Sequence, residues 1–333
     1  MTPSQSTQPL SRRVAPMMAA LMAGIAMTAA AGSAAAYPDK PVMLVVTYPP
    51  GGTVDVVARL IAPKLSTVLG QPVVIDNRGG AGGMIGGAYV ARAKPDGYTL
   101  MLDASNHAQN PALHSKMQFD TLRDFAPVSL LLRVPNALVV TPSSSIKSVA
   151  DLIKLGKGAG KPVYFASAGN GSAQHLAGEL FNQLAGTQLQ HVAYKGGGPA
   201  MVDVMAGQVP VMFASMGSAW PHIKSGKLRP VAVGGATRSK AAPQLPTIAE
   251  SGVPGYESYE WNAVFAPAGT PQPILDQVSK ALAQVLKDPK VAEQLAGFGA
   301  EVIGSTPEEL DSFRKGEIAK WKKVAAQSKL QLD

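Results

Sequence analysis

The chain of 333 residues contains no cysteine. That absence excludes disulfides, thiolate nucleophiles, cysteine-held zinc and iron–sulfur clusters together. Charged residues make up only 16% of the chain, and five histidines without an H-E-x-x-H pair offer a transition metal little to bind. No G-x-S-x-G elbow, G-x-x-x-x-G-K-[ST] loop, Y-x-x-x-K pair or EF-hand loop occurs. The few acids are not paired in a recognisable acid/base arrangement. No stretch after residue 36 reaches the roughly 18 apolar residues of a membrane span. These absences point to a binding protein with no cofactor and no metal. A secreted ester hydrolase using Ser172 and His175 is the enzymatic alternative.

Arg12 and Arg13 precede a small, apolar stretch over 17–31, and Ala34-Ala35-Ala36 stands before Tyr37-Pro38. This layout predicts a secretory signal over 1–36, cleaved after Ala36, and a periplasmic mature chain. The net charge is +8, but lysines and arginines are scattered and no basic run is interleaved with aromatics. Nucleic acid is therefore not expected as a partner.

Hydrophobic content is 46%, and 34 glycines and 27 prolines punctuate it regularly. Residues 41–48 (PVMLVVTY) form a continuous apolar run, the pattern of a strand buried on both faces. A helical pattern over 54–69 follows, closed by Gly70, then strands at 71–75 and 98–102 flanking a second helix. The β-α-β-α-β series implies a parallel sheet covered by helices. It repeats with strands at 163–166, 190–193 and 209–213 and helices at 172–184 and 199–206. Extended connectors are expected at 134–141 and 261–266, and amphipathic helices at 273–286 and 308–324. Thr306-Pro307-Glu308-Glu309 supplies an N-cap, a proline at the first helical position and a glutamate at the third. The pattern predicts an α/β protein of two lobes: residues 37–137, a second lobe over 138–260, and a return to the first over 261–333.

Three glycine-bearing loops feed helix N-termini: 49–53 (PPGGT), 168–172 (AGNGS) and 195–199 (KGGGP). Helix N-termini expose unpaired N–H groups and attract carboxylates or phosphates without needing an arginine. Loops of this kind lie at the carboxyl ends of parallel strands, the ligand edge of such sheets. Asp55 either lines the cleft or supports the first turn of its own helix, and Ser172 is an N-cap that also faces the ligand edge. Tyr48 and Tyr194 end apolar strands, and Ser105 follows the third strand with Asp103, Ala104 and Asn106. The 79–87 run (GGAGGMIGG) departs from the G-x-G-x-x-G frame and reads as close helix–sheet packing.

An ordered set of short motifs carries a family resemblance. It comprises Tyr48-Pro-Pro-Gly-Gly-Thr-Val-Asp55, Asn77-Arg-Gly-Gly-Ala-Gly-Gly83, Pro95-Asp-Gly-Tyr-Thr-Leu100, Tyr194-Lys-Gly-Gly, Gly207-Gln-Val209, Leu245-Pro-Thr247 and Ala266-Pro-Ala-Gly-Thr-Pro271. In order and spacing the set resembles the Bug, or TctC, family of extracytoplasmic solute receptors of tripartite tricarboxylate transporters. The resemblance implies a type II periplasmic binding protein, two α/β lobes joined by a two-strand hinge, with a small carboxylate held in the cleft mainly by loop backbone. It carries over Tyr48, Gly51, Gly52, Thr53 and Asp55 in the first loop. In the second lobe it carries over Ser167, Ala168, Gly169, Asn170 and Ser172, with His175 after them. The implied partners are a di-, tri- or aromatic carboxylate and two membrane subunits of the transporter, or the external domain of a sensor kinase; the receptor itself is expected to be a monomer. Where relatives often read Gly-Gln-Val-Asp-x-Met-Phe-Asp, this chain has Pro210 and Ala214 in place of both acids. Ala214 thus predicts a less polar pocket and turns the expectation away from amino acids.

Overall fold

The computed structural model describes residues 1–3, 37–50, 53–158, 160–297 and 299–332. The expected signal segment falls almost wholly outside them, as do Gly51 and Gly52. Lys40–Asp333 form one compact unit, and Met1–Asp39 a second of which only the ends are described. No helix among the described residues is long and apolar enough to cross a membrane.

The chain opens with β1 (Val42–Val46), whose apolar run is buried on both faces. It passes through α1 (Thr53–Leu69) to β2 (Val73–Asn77) on one side, then through α2 (Met84–Ala91) to β3 (Thr99–Ala104) on the other. Both neighbours are parallel to β1, and the connections leaving β1 and β3 run to opposite sides, so a crevice opens between their carboxyl ends. The glycine run before α2 allows that helix to sit tightly on the sheet. A Cβ on Gly86 would lie 2.8 Å from the Arg78 carbonyl oxygen, and one on Gly87 would lie 2.7 Å from the Phe119 ring.

A short helix, α3 (Asn106–Leu113), follows β3 and leads to β4 (Phe125–Val140). Sixteen residues long, β4 extends through the expected 134–141 connector. Phe125–Pro135 pair antiparallel with β9 (Tyr259–Pro267), whereas Asn136–Val140 pair with β7 (Val211–Ser215) and β8 (Arg229–Val233). One strand thus belongs to both halves of a curled sheet. Beyond α4 (Val149–Lys157) the second half repeats the first. Here β5 (Tyr164–Ser167) leads through α5 (Ala173–Ala185) to β6 (Gln190–Ala193), and α6 (Gly197–Met205) crosses back to β7, with β5 parallel to both. The strand order is β2-β1-β3-β9-β4-β7-β5-β6. This is a mixed α/β architecture on a curled sheet, with β4 common to both halves.

At the seam the backbones of Asn136, Gly234 and Ser258 hydrogen-bond to one another, and the Asn136 amide donates to Ser258 Oγ at 2.9 Å. A Cβ on Gly234 would lie 2.9 Å from the Asn136 carbonyl oxygen, so glycine is what lets three strands converge there. After α7 (Met216–Lys224) and β8, the return strand β9 leads to α8 (Gln272–Leu286), α9 (Pro289–Gly297), a two-residue β10 (Glu301–Val302) against β4, and α10 (Pro307–Gln327). The expected cap of the last helix is a full capping box: Glu309 N–H donates to Thr306 Oγ1 and Thr306 N–H to Glu309 Oε2. That helix is fastened by buried polar groups. Glu317 Oε2 accepts from both the Trp261 and Trp321 indoles, and Arg314 donates to the Thr121 and Phe125 carbonyls.

Candidate functional site

The carboxyl ends of β1, β3 and β5, with β4 and β9, enclose a cavity of about 510 Å³. Four helices begin at its wall. Thr53 and Val54 open α1, Ser105 and Asn106 open α3, Ser172, Ala173 and Gln174 open α5, and Gly196 and Gly197 open α6. The first N–H groups of a helix have no partner within it, and each N-terminus carries about half a positive elementary charge. Among the described lining residues there is no lysine, arginine or histidine. What partial positive charge the described wall offers therefore comes from backbone, beside the carboxylate of Glu260.

Local hydrogen bonds fix the loops that deliver these termini. Ser172 Oγ accepts from the His175 N–H at 3.2 Å and donates to the Gly169 carbonyl at 2.7 Å, so one hydroxyl caps α5 and ties its loop. Gly169 adopts φ of 127°, and a Cβ there would meet the Tyr194 carbonyl oxygen at 3.0 Å. On the other side Tyr48 donates its hydroxyl to Asn106 Oδ1 at 3.0 Å, linking the end of β1 to the start of α3. Burial first, and then the negative charges of Asp103 and Glu260, hold its phenol well above the usual tyrosine range. It stays a neutral donor.

The floor comes from β4 and β9. Val134 faces Glu260 across the β4–β9 pair and Leu132 faces Asn262, and all four line the cavity. Gln174 donates its amide to Glu260 Oε1 at 2.5 Å, joining the first turn of α5 to the floor. Trp261 also lines it, with its indole N–H turned to Glu317.

The family model for the tripartite tricarboxylate transporter family receptor, TctC, matches residues 57–330. The chain belongs to this family. Members are receptors, so this TctC chain is a binding protein and not an enzyme. Protein BugT of Bordetella pertussis is 38% identical over 306 residues, covering 91% of this chain and 94% of its own. Among solved structures, Rpa4515 of R. palustris with adipate shares 39% identity at a TM-score of 0.78, covering 89% of this chain and 100% of that one. MatC from Rhodopseudomonas palustris with bound malate shares 32% identity at a TM-score of 0.74, covering 86% and 99%.

Of the residues singled out in the sequence of this TctC receptor, Tyr48, Thr53, Ser105, Ala168 and Ser172 line the cavity, as do Ala104, Asn106, Gly196 and Gly197. Gly51 and Gly52 lie outside the described residues. The remainder stand behind the wall or elsewhere. Asp55 is buried; its carboxylate accepts from Asn77 Nδ2 at 2.9 Å and Arg59 Nε at 2.8 Å, and the same Asn77 amide also donates to the Tyr48 carbonyl. It thus braces the start of α1 against the end of β2 and does not face the cavity. Ser167 is buried, with Oγ 2.6 Å from His191 Nε2 and accepting from the Gly169 N–H. Asn170 is exposed on its loop. Tyr194 donates its hydroxyl to Asp203 at 2.6 Å, which pins the loop before α6; burial first, and then that hydrogen bond, push its pKa up to about 12. Ala214 is buried mid-strand, paired with Ala137 of β4, and is not a lining residue.

His175 lies beneath the loop, stacked on His191 with ring centroids 3.6 Å apart. Its Nδ1 accepts from the Gly171 N–H at 3.1 Å, and burial, helped by the neighbouring histidine, pushes its pKa down to about 3. Burial lowers His191 to about 4. Both rings are neutral supports at ordinary pH. Sequence reasoning missed Leu132, Val134, Glu260 and Asn262 as wall residues. The signal for them was the facing of two strands, 134 against 260, which local patterns do not contain.

Proposed function

We propose that the chain is a periplasmic receptor that captures a small carboxylate and delivers it to the membrane subunits of a tripartite tricarboxylate transporter, acting as a monomer after removal of residues 1–36. The observation that carries this reading is the convergence of four helix N-termini on one cavity with no described basic side chain in its wall. Such a site selects an anion small enough to reach several N-termini at once and suits the planar, two-oxygen acceptor of a carboxylate. The bound adipate and malate of the two relatives support the same class. Ligand contacts are assigned to the 49–53 loop, with Tyr48, Thr53 and Ser105 on one lobe and Ala168 and Ser172 on the other. Lobe closure would act about the seam, where β4 changes partner between Pro135 and Asn136 and β9 begins at Tyr259.

Thermal-shift screening of the exported protein against a panel of carboxylates tests the proposal. A ligand at 100 times its Kd adds about 2.7 kcal/mol to stability, which moves the melting point by several degrees. At least one small carboxylate is expected to give that shift while phosphate and sulfate do not. A panel in which only the inorganic anions stabilise would overturn it. N-terminal sequencing of the exported chain should begin at Tyr37, and a start at Met1 would refute the processing step.

A further inference from the structure

The cavity wall carries two chemically unlike features, which deepens the carboxylate reading and rests on it. One is the set of helix N-termini. The other is the carboxylate of Glu260, half-buried, opposite Val134 in the β4–β9 pair and bonded to Gln174 in the first turn of α5. Among the described residues no ion pair engages Glu260 and no basic side chain lines the cavity around it. Its hydrogen-bond partner is the neutral amide of Gln174, which fixes Oε1. Three donors of the wall are already engaged within the protein: the Tyr48 hydroxyl by Asn106, the Trp261 indole by Glu317, and the Gln174 amide by Glu260 itself. A second carboxylate placed there would meet a like charge in a partly desolvated cavity. A protonated amine would meet an oriented carboxylate oxygen.

We propose that Glu260 is the specificity-determining residue of this cavity and that the preferred ligand is an amino-carboxylate, its carboxylate at the helix N-termini and its ammonium at Glu260. The loss of acids at 210 and 214 does not argue against this, because Ala214 is buried mid-strand and not a lining residue. Acidity is supplied from β9 instead.

Matched probes of equal length test the assignment: 4-aminobutanoate, butanoate and succinate; 5-aminopentanoate, pentanoate and glutarate; 6-aminohexanoate, hexanoate and adipate. Calorimetry on the full-length exported protein is expected to rank the amino acid above the alkanoate and the alkanoate above the diacid at the best-fitting length. The amino acid should lead the diacid by about tenfold or more. Glu260→Gln keeps the size and the contact with Gln174 but removes the charge, and should reduce the gap to less than about threefold. Diacids binding the unmodified protein as well as amino acids would overturn the assignment. So would a Glu260→Gln protein that weakens all three members equally, since Glu260 would then be positioning α5 through Gln174. If carboxylates bind but their order ignores Glu260, only this inference fails. If no member of any series binds, the carboxylate reading fails and takes this one with it. A melting curve of the variant without ligand confirms that both proteins compared are folded.

Discussion

Lowering the pH from 7 to 5 should destabilise the protein through the stacked pair His175 and His191. Burial holds the folded His175 at about 3, against about 6.5 for a histidine in an unfolded chain. Between those values the unfolded state binds a proton that the folded state refuses, so stability falls as pH falls through that window. Each pH unit inside it is worth about 1.4 kcal/mol, so His175 alone costs about 2 kcal/mol at pH 5 relative to neutral pH. His191, lowered to about 4 and more open to water, adds no more than about 1 kcal/mol once screening is allowed for. Glu179 lies 3.8 Å from His175 Nε2, and its carboxyl, raised by burial, works in the opposite sense. Urea unfolding at pH 7, 6 and 5 of the unmodified protein and of His175→Gln gives the measurement. The variant starts from a lower stability, so the comparison is between slopes. The unmodified protein should lose about 2–3 kcal/mol over the range, and His175→Gln should lose about 2 kcal/mol less. Parallel slopes would show that His175 is protonated in the folded protein and would refute the burial argument.

Other consequences are more local. Ser172→Ala removes the α5 cap and the tie to Gly169, and should cost about 0.5–2 kcal/mol in stability by chemical denaturation, with ligand affinity falling by at most about tenfold. Arg59→Ala and Arg78→Ala should change affinity by less than about threefold in calorimetry. Arg59 pairs with Asp55, while Arg78 pairs with Asp76 and lies over Tyr89, and neither lines the cavity. Gly178→Ala should destabilise by about 1–3 kcal/mol in thermal melts despite alanine's better helix propensity, because its Cβ would fall 2.2 Å from the fully buried Phe165 ring.

The strand–helix alternation was legible because each unit is local: an apolar run, a glycine or proline break, then a helical period. The capping box at Thr306 was legible for the same reason. Against this, only 134–141 read as an extended connector and the first half of β4 went unassigned, because its partner strand β9 lies more than a hundred residues away. Helix α3 escaped notice because it buries His107, Gln109 and Asn110 in place of an apolar stripe, with Pro111 inside. Wall loops could be read from glycines before helices, whereas Glu260 required the register of two distant strands. His175 illustrates the converse: it stands one turn from the ligand loop in sequence, yet its ring turns beneath the loop to stack on His191.

The central claim is that backbone N–H groups at converging helix N-termini hold a carboxylate. Calorimetric titration of the tightest carboxylate from the screen, compared with its primary amide of the same shape, tests it most directly. The amide has lost the anionic charge and one acceptor oxygen, so the account predicts that its affinity falls by about a hundredfold or more, while Arg59→Ala and Arg78→Ala leave the carboxylate's affinity in place. An amide that binds as tightly as the acid, or a carboxylate whose binding vanishes with either arginine, would contradict it.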